Sequence, residues 1–262
     1  SLDTDKVPEP HSYNEILLGL LGSPNIASKQ CVYQTYDQTV GTNTVAGPGG
    51  DAAIMRIKGT RRGIALSTDC NGRYTYLNPW AGGARAVAEA ARNIVCVGAK
   101  PVAITNCLNF GSPTDPAIYY QLEQAIAGIS DASLELGTPV TGGNVSLYNE
   151  TNGRHIHPTP VIGMLGIIDE IESRCDMAFK EEGDVIAVLG PLSSSMDGSE
   201  YLHYIHGVEL GNPSIDLTLE ANVQRTCLEA IHSGLLQSAH DVAEGGLIIG
   251  VLESCITGNI GG

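Results

Sequence analysis

The spacing of hydrophobic and polar residues changes several times along the chain, and each change marks an element. SLDTDKVPEP (1–10) is polar, carries two prolines and reads as an extended linker. HSYNEILLGLLG (11–22) predicts a short helix capped by Ser12 and stopped by Gly22, set apart by Ser23-Pro24-Asn25. DAAIMRIKG (51–59) and GIALSTD (63–69) alternate with period two and predict strands joined by a tight basic turn, Thr60-Arg61-Arg62. AGGARAVAEAARNIVCVG (81–98) is an Ala-rich helical segment with Gly98 at its end. PVAITNCLNFG (101–111) predicts a strand running into a loop. DPAIYYQLEQAIAGISDASLELG (115–137) predicts a long amphipathic helix with Pro116 in its first turn and Gly137 at its end.

TPVTGGNVSLYNE (138–150) begins and ends like a strand, but Gly142, Gly143 and Asn144 interrupt it. A glycine pair inside a strand marks a bulge, a bend or a close backbone approach. HIHPTPVIGMLGIID (155–169) predicts a further strand, bent at Pro158 and Pro160. Composition shifts at Phe179-Lys180-Glu181-Glu182-Gly183-Asp184, which places a domain boundary there. Beyond it, GDVIAVLG (183–190) predicts a buried strand and LEANVQRTCLEAIHSG (219–234) a helix. SAHDVAEGGLIIGVLESCITG (238–258) predicts a strand end, a turn and a second helix. The expected organisation is a linker with a short helix over 1–32, an α/β domain over 33–175, and an incomplete α/β domain over 181–262.

Composition fits this reading. Of 262 residues, 42% are hydrophobic and 5% aromatic, with 32 glycines, as suits tight strand–helix turns. The net charge of −15 argues against nucleic acid or anionic lipid as partners. Phosphates stay accessible to such a chain through backbone N–H groups and metal ions. The seven cysteines are widely spaced with no C-x-x-C, which predicts free thiols in a cytoplasmic protein. No apolar run approaches the roughly 18 residues of a membrane span.

Taken one at a time, the polar candidates are modest. GPGGDAA (47–53) lacks the order of a dinucleotide fingerprint, so Asp51 reads as a backbone cap. Asp69 ends a strand and reads as a loop cap or, less readily, a metal–phosphate ligand. Arg73 is a phosphate-capable cation or a carboxylate partner. Arg92-Asn93 reads as surface. His155 and His157 share a strand face, but no third ligand with zinc spacing accompanies them. His203 and His206 read as surface residues, and Ser193-Ser194-Ser195 as a polar turn without a nucleophile elbow. Asp241, followed by Glu244-Gly245-Gly246 at a helix start, is a weak anion-site signal.

Together, YDQTVGTNTVAGPGGDAAIMRI (36–57), STDCNGRYTYLNP (67–79), GAKPVAITNCLNFGSP (98–113), LGTPVTGGNVSLYNET (136–151) and SAHDVAEGGL (238–247) resemble the phosphoribosylformylglycinamidine synthase family. The match covers nearly all of residues 31–262 and looks like the second half of the large subunit. The resemblance implies a synthetase-superfamily N-terminal α/β domain with a barrel-forming sheet, plus a truncated C-terminal α/β domain. It implies ATP-dependent conversion of formylglycinamide ribonucleotide and glutamine-derived ammonia to the amidine, with ATP and Mg²⁺ as cofactors. The implied partners are the first half of the same subunit and a glutaminase subunit or domain, and an isolated piece of this kind is expected to form a homodimer. Asn106 and Gly143 are implied ATP contacts, Asn144 a metal ligand and Ser146 a substrate contact. No catalytic residue is implied: the family's catalytic histidine motif is replaced by Asp69-Cys70-Asn71-Gly72-Arg73, and its usual Asp by Asn106. A scaffold half stabilised by a bound nucleotide is the alternative.

Overall fold

A computed structural model describes residues 7–192 and 195–261. Along the chain lie α1 (Tyr13–Leu21), α2 (Gln30–Tyr33), β1 (Thr44–Ala46), β2 (Ala53–Arg56), β3 (Gly63–Asp69), α3 (Gly72–Leu77) and α4 (Pro79–Cys96). After these come β4 (Lys100–Asn109), α5 (Pro116–Leu136), β5 (Val140–Ser146), β6 (Glu150–Thr151), β7 (Arg154–His155) and β8 (Thr159–Ile168). The last elements are α6 (Leu217–His232) and α7 (Leu247–Gly258).

Six strands form one mixed sheet in the order β1-β2-β3-β8-β4-β5, antiparallel throughout except for the parallel pair β4–β5. A parallel neighbour needs a crossover, and α5 supplies it. The core lies between the sheet and α4 and α5, built from Ile54, Ala65, Ile94, Ile104, Leu108, Ile129, Ile162 and Met164 among others. Because α4 is rich in alanine and glycine, α5 comes very close. A Cβ on Gly83 would lie 2.3 Å from the Ala125 carbonyl oxygen, and one on Gly128 would lie 2.0 Å from that of Trp80. The opposite face of the sheet is uncovered. Leu66 (42% exposed) and Ile167 (38%) lie on it, with the half-buried Met55, Ile64 and Leu165.

Ser12 accepts from the Glu15 N–H and Gly137 is left-handed, as the sequence placed them. Asp115, not singled out in the sequence, caps α5 by accepting from the Ala117 N–H. Three expectations fail. No strand end forms at the start of the 238–258 segment, which runs as turn and loop into α7. The 183–190 run is no strand: Val185 is 91% exposed, and Ile186, Val188 and Leu189 are exposed as well. A continuous apolar run becomes a strand only when another strand pairs with it, and no strand pairs with this one among the described residues. Nor is the first helix isolated: α1 packs on a π-helical turn, Tyr201–Ile205. Of the two prolines, Pro158 precedes β8 while Pro160 is accommodated inside it, opposite Leu108.

Gly128→Ala is expected to cost about 1–3 kcal/mol, since the neighbour is backbone and cannot rotate away. Urea unfolding of the variant beside the parent measures this.

Candidate functional site

The glycine pair lies in an unbroken edge strand. The β4–β5 register slips once, Ile104 facing Val140 and Thr105 facing Gly142, so Thr141 is the bulged residue. Its hydroxyl donates to the Ile104 carbonyl at 3.0 Å. Gly143 answers to a close approach: a Cβ there would lie 2.1 Å from Asn106 Oδ1 and 2.5 Å from the Asn106 carbonyl oxygen. Asn106 and Gly143 are therefore in contact. Asn144, opposite Cys107, and Ser146, opposite Asn109, point to the uncovered face. The Ser146 hydroxyl donates to Asn149 Oδ1 at 3.1 Å, and Asn149 donates back to the Ser146 carbonyl at 2.9 Å.

Asn106 leads across the sheet to a second group. Asp69, Ile162, Asn106 and Gly143 lie opposite one another on β3, β8, β4 and β5. Residues in such a row share a face, so Asp69 and Asn106 stand on the helix-covered side, about 10 Å apart over two strand spacings. Around Asp69 gather residues that singly read as caps or surface. Glu89 and Asn93, one turn apart on α4, face it, and Asn93 Nδ2 is 3.5 Å from Asp69 Oδ2. Arg92, read as surface, is instead a bridge. Its Nε lies 3.2 Å from Asp241 Oδ2, Nη1 3.0 Å from Glu220 Oε1 and Nη2 3.6 Å from Glu89 Oε2. Asp51 caps no local turn; its Oδ1 lies 2.7 Å from His240 Nδ1 and accepts from the Asp241 N–H at 3.4 Å. Asn71 Nδ2 donates to Glu244 Oε1 at 2.8 Å.

The group joins the ends of β3 and α4 to the segments around α6 and α7, with Glu89 and Asp241 buried and the residues around them partly buried. Burial, then the charges of Glu244 and Asp241, push the Asp69 carboxyl well above its usual range. Burial and Asp69 do the same to Glu89, and burial lifts Asp241 to about 6 against the pull of Arg92. For His240 burial works downward, but hydrogen bonds to Asp51 and Glu253 outweigh it and raise the imidazole to about 10. The Asp51 side chain is 1% exposed and its Oδ2 has no hydrogen-bond partner. Among the described residues, Asp51, His240 and Asp241 hold ligand atoms within 4.8 Å of one another. A concentration of carboxylates with an orphaned buried oxygen is the donor set of a hard divalent cation.

Sequence reasoning missed Glu89 and Glu220. The available signal was Glu89, Arg92 and Asn93 on one face of an otherwise small apolar helix. His155 and His157 do not share a partner: His155 lies near Glu150 and Asp115, whereas His157 joins His203 on opposite oxygens of Glu209 at 3.1 and 3.2 Å. Ser193 and Ser194 lie outside the described residues.

Residues 49–168 match the family described as AIR synthase related protein, N-terminal domain, and residues 181–262 match its C-terminal domain. The chain belongs to the AIR synthase related family. It is 54% identical over 260 residues to phosphoribosylformylglycinamidine synthase subunit PurL of Moorella thermoacetica, covering 99% of this chain and 36% of that protein. It therefore spans about a third of the length of the curated relative it matches. Thermotoga maritima PurL complexed with ATP aligns with a TM-score of 0.51 and 37% identity, over 57% of this chain and 24% of that one. The same protein complexed with FGAR aligns with a TM-score of 0.51 and 38% identity, over 57% and 24%. The mixed α/β architecture matches the fold read from the sequence.

Arg73, near the cluster, settles on a carboxylate. Its Nη2 lies 2.8 Å from Glu200 Oε2 and its Nε donates to the Gly198 carbonyl at 2.7 Å, both side chains being buried. Burial favours the neutral Glu200 acid, but hydrogen bonds from Asn25 and Arg73 outweigh it and hold the carboxyl below its usual value. A depressed acid stabilises the fold above its unfolded pKa, and that contribution is lost as pH falls through the folded value. Chemical denaturation is expected to show Glu200→Gln losing less stability than the parent between pH 5 and about 3. Arg73→Met, which strands a buried charge, is expected to cost about 3–5 kcal/mol at pH 7.

Proposed function

We propose that the chain is part of the ATP-dependent synthetase that converts formylglycinamide ribonucleotide, with ammonia drawn from glutamine, to formylglycinamidine ribonucleotide in purine biosynthesis. The observation that carries the reading is the row from Asp69 to Gly143, which lines up a buried carboxylate cluster with a glycine edge strand. The similarity to a PurL solved with ATP and with FGAR supports it. In this reading residues 33–175 form the nucleotide-side domain and 181–262 a part of the second domain, in a cytoplasmic protein.

Each residue's proposed work follows from its chemistry. Gly143 lets a phosphate approach the backbone, and Asn106 beside it offers an amide to the nucleotide. Asn144 offers a neutral oxygen to a cation, and Ser146, two residues on, meets substrate on the same open face. Glu89, Asp241 and Asp51, with Asn93, would hold Mg²⁺ at the junction. When bound, the ion neutralises phosphate charge as phosphoryl transfer proceeds. The protein's share is to position the reactants and hold compensating charge. In this reading turnover also draws on the other half of the subunit and on an ammonia-supplying glutaminase.

The exposed Leu66 and Ile167 support a further element of this reading, that the open sheet face packs against that other half. In its absence a second copy takes its place. Sedimentation at tens of micromolar is expected to find a homodimer that Leu66→Glu dissociates; a monomeric parent would overturn this. Calorimetry with Mg-ATP is expected to show saturable binding that Asn144→Ala weakens at least about tenfold, or 1.4 kcal/mol. Unchanged affinity in the variant would remove Asn144 from the site.

A further inference from the structure

The cluster at the junction contains more acid than it can hold unaided. Asp51, Asp69, Glu89, Glu220 and Asp241 converge on Arg92 and His240, and Arg92 alone touches three of the carboxylates. Its guanidinium is fixed from both sides. Glu89 lies one turn away on its own helix, while Glu220 is held from α6, where Gln224 Nε2 donates to Glu220 Oε1 at 2.9 Å and to the Ala88 carbonyl at 3.0 Å. Asp241 enters from the α7 side with its side chain 3% exposed. Arg92 thus occupies two of the carboxylates, Glu89 and Asp241, that the reading above gives to a divalent cation. Asp51, whose Oδ1 contacts His240 and the Asp241 N–H, leaves its buried Oδ2 with no partner beside them.

We propose that Arg92 is the resident counter-ion of this site: it holds the junction closed when no divalent cation is bound and competes with the cation for Glu89 and Asp241. The inference rests on the magnesium reading of the cluster and adds to it a residue that lowers affinity. Two like charges sharing the same carboxylates repel, so removing the fixed one strengthens the attraction for the other. The same removal leaves buried carboxylates unpaired in the cation-free protein. Metal-free stability and cation affinity should therefore move in opposite directions, which loss of packing alone would not produce.

The test titrates Mg²⁺ into the full chain by calorimetry and follows thermal unfolding with the cation and with chelator. Arg92→Met is expected to bind Mg²⁺ about tenfold more tightly than the parent, while its melting temperature in chelator falls and its Mg²⁺-induced rise grows. Arg92→Lys keeps the charge and should stay within a few-fold of the parent affinity. Glu220→Gln removes an anion instead of a cation and should bind Mg²⁺ more weakly. Equal or weaker binding by Arg92→Met, with Glu220→Gln also weaker, would overturn the counter-ion role and leave the magnesium site standing. No saturable Mg²⁺ binding by the parent, with or without ATP, would overturn the magnesium reading and this inference with it.

Discussion

Buried charge must be compensated, and at the junction between the sheet domain and the α6–α7 region that requirement governs the structure. Asp51, Asp69 and Glu89 come from one side, Glu220, Asp241 and Glu244 from the other, and each in isolation would resist leaving water. Arg92 and His240 make the arrangement tolerable by pairing across the boundary. Arg73 with Glu200 does the same beside them. The two regions are thus joined by ion pairs of low exposure beside an apolar contact of Val95 on α4 with Cys227 and Ile231 on α6. Pairs of this kind fix geometry more than they add stability.

The packing of the sheet domain delivers these groups to the junction. Alanines on α4 bring the helix close to β3, so Glu89, Arg92 and Asn93 stand over Asp69 at the strand's end. Glycines at the α4–α5 crossing let α5 lie close enough to return the chain as a parallel edge strand. That edge strand carries Gly143 beside Asn106 and presents Asn144 and Ser146 on the opposite face. One sheet therefore offers two distinct polar surfaces. The helix-covered surface ends in fixed carboxylates, and the open one adjoins exposed apolar residues.

Most of the sheet domain was legible as pattern. Period-two alternation marked β2 and β3, the Ala-rich run marked α4, and Pro116 and Gly137 bracketed α5 closely. The 183–190 run was misread because apolar content says that a segment wants burial, and only pairing makes it a strand. Asp51 was misread as a cap and Arg92 as a surface residue because each of those roles uses the same side chain as an ion pair. Only the partner tells them apart, and both partners lie far along the chain, Asp51 with His240 and Arg92 with Asp241.

The sequence by itself determined most elements of the sheet domain, the family resemblance and the presence of a glycine pair within the 138–150 stretch, since these depend on local spacing and backbone sterics; that the pair serves a close approach to Asn106 is tertiary. Tertiary structure alone decided that Asp69 and Asn106 share a row, that Asn144 faces away from it, and that three carboxylates from different parts of the chain meet one arginine. Strand order and register place residues tens of positions apart within a few ångströms of each other. Electrostatic energy depends on those distances and on exclusion of water, and no local pattern encodes either.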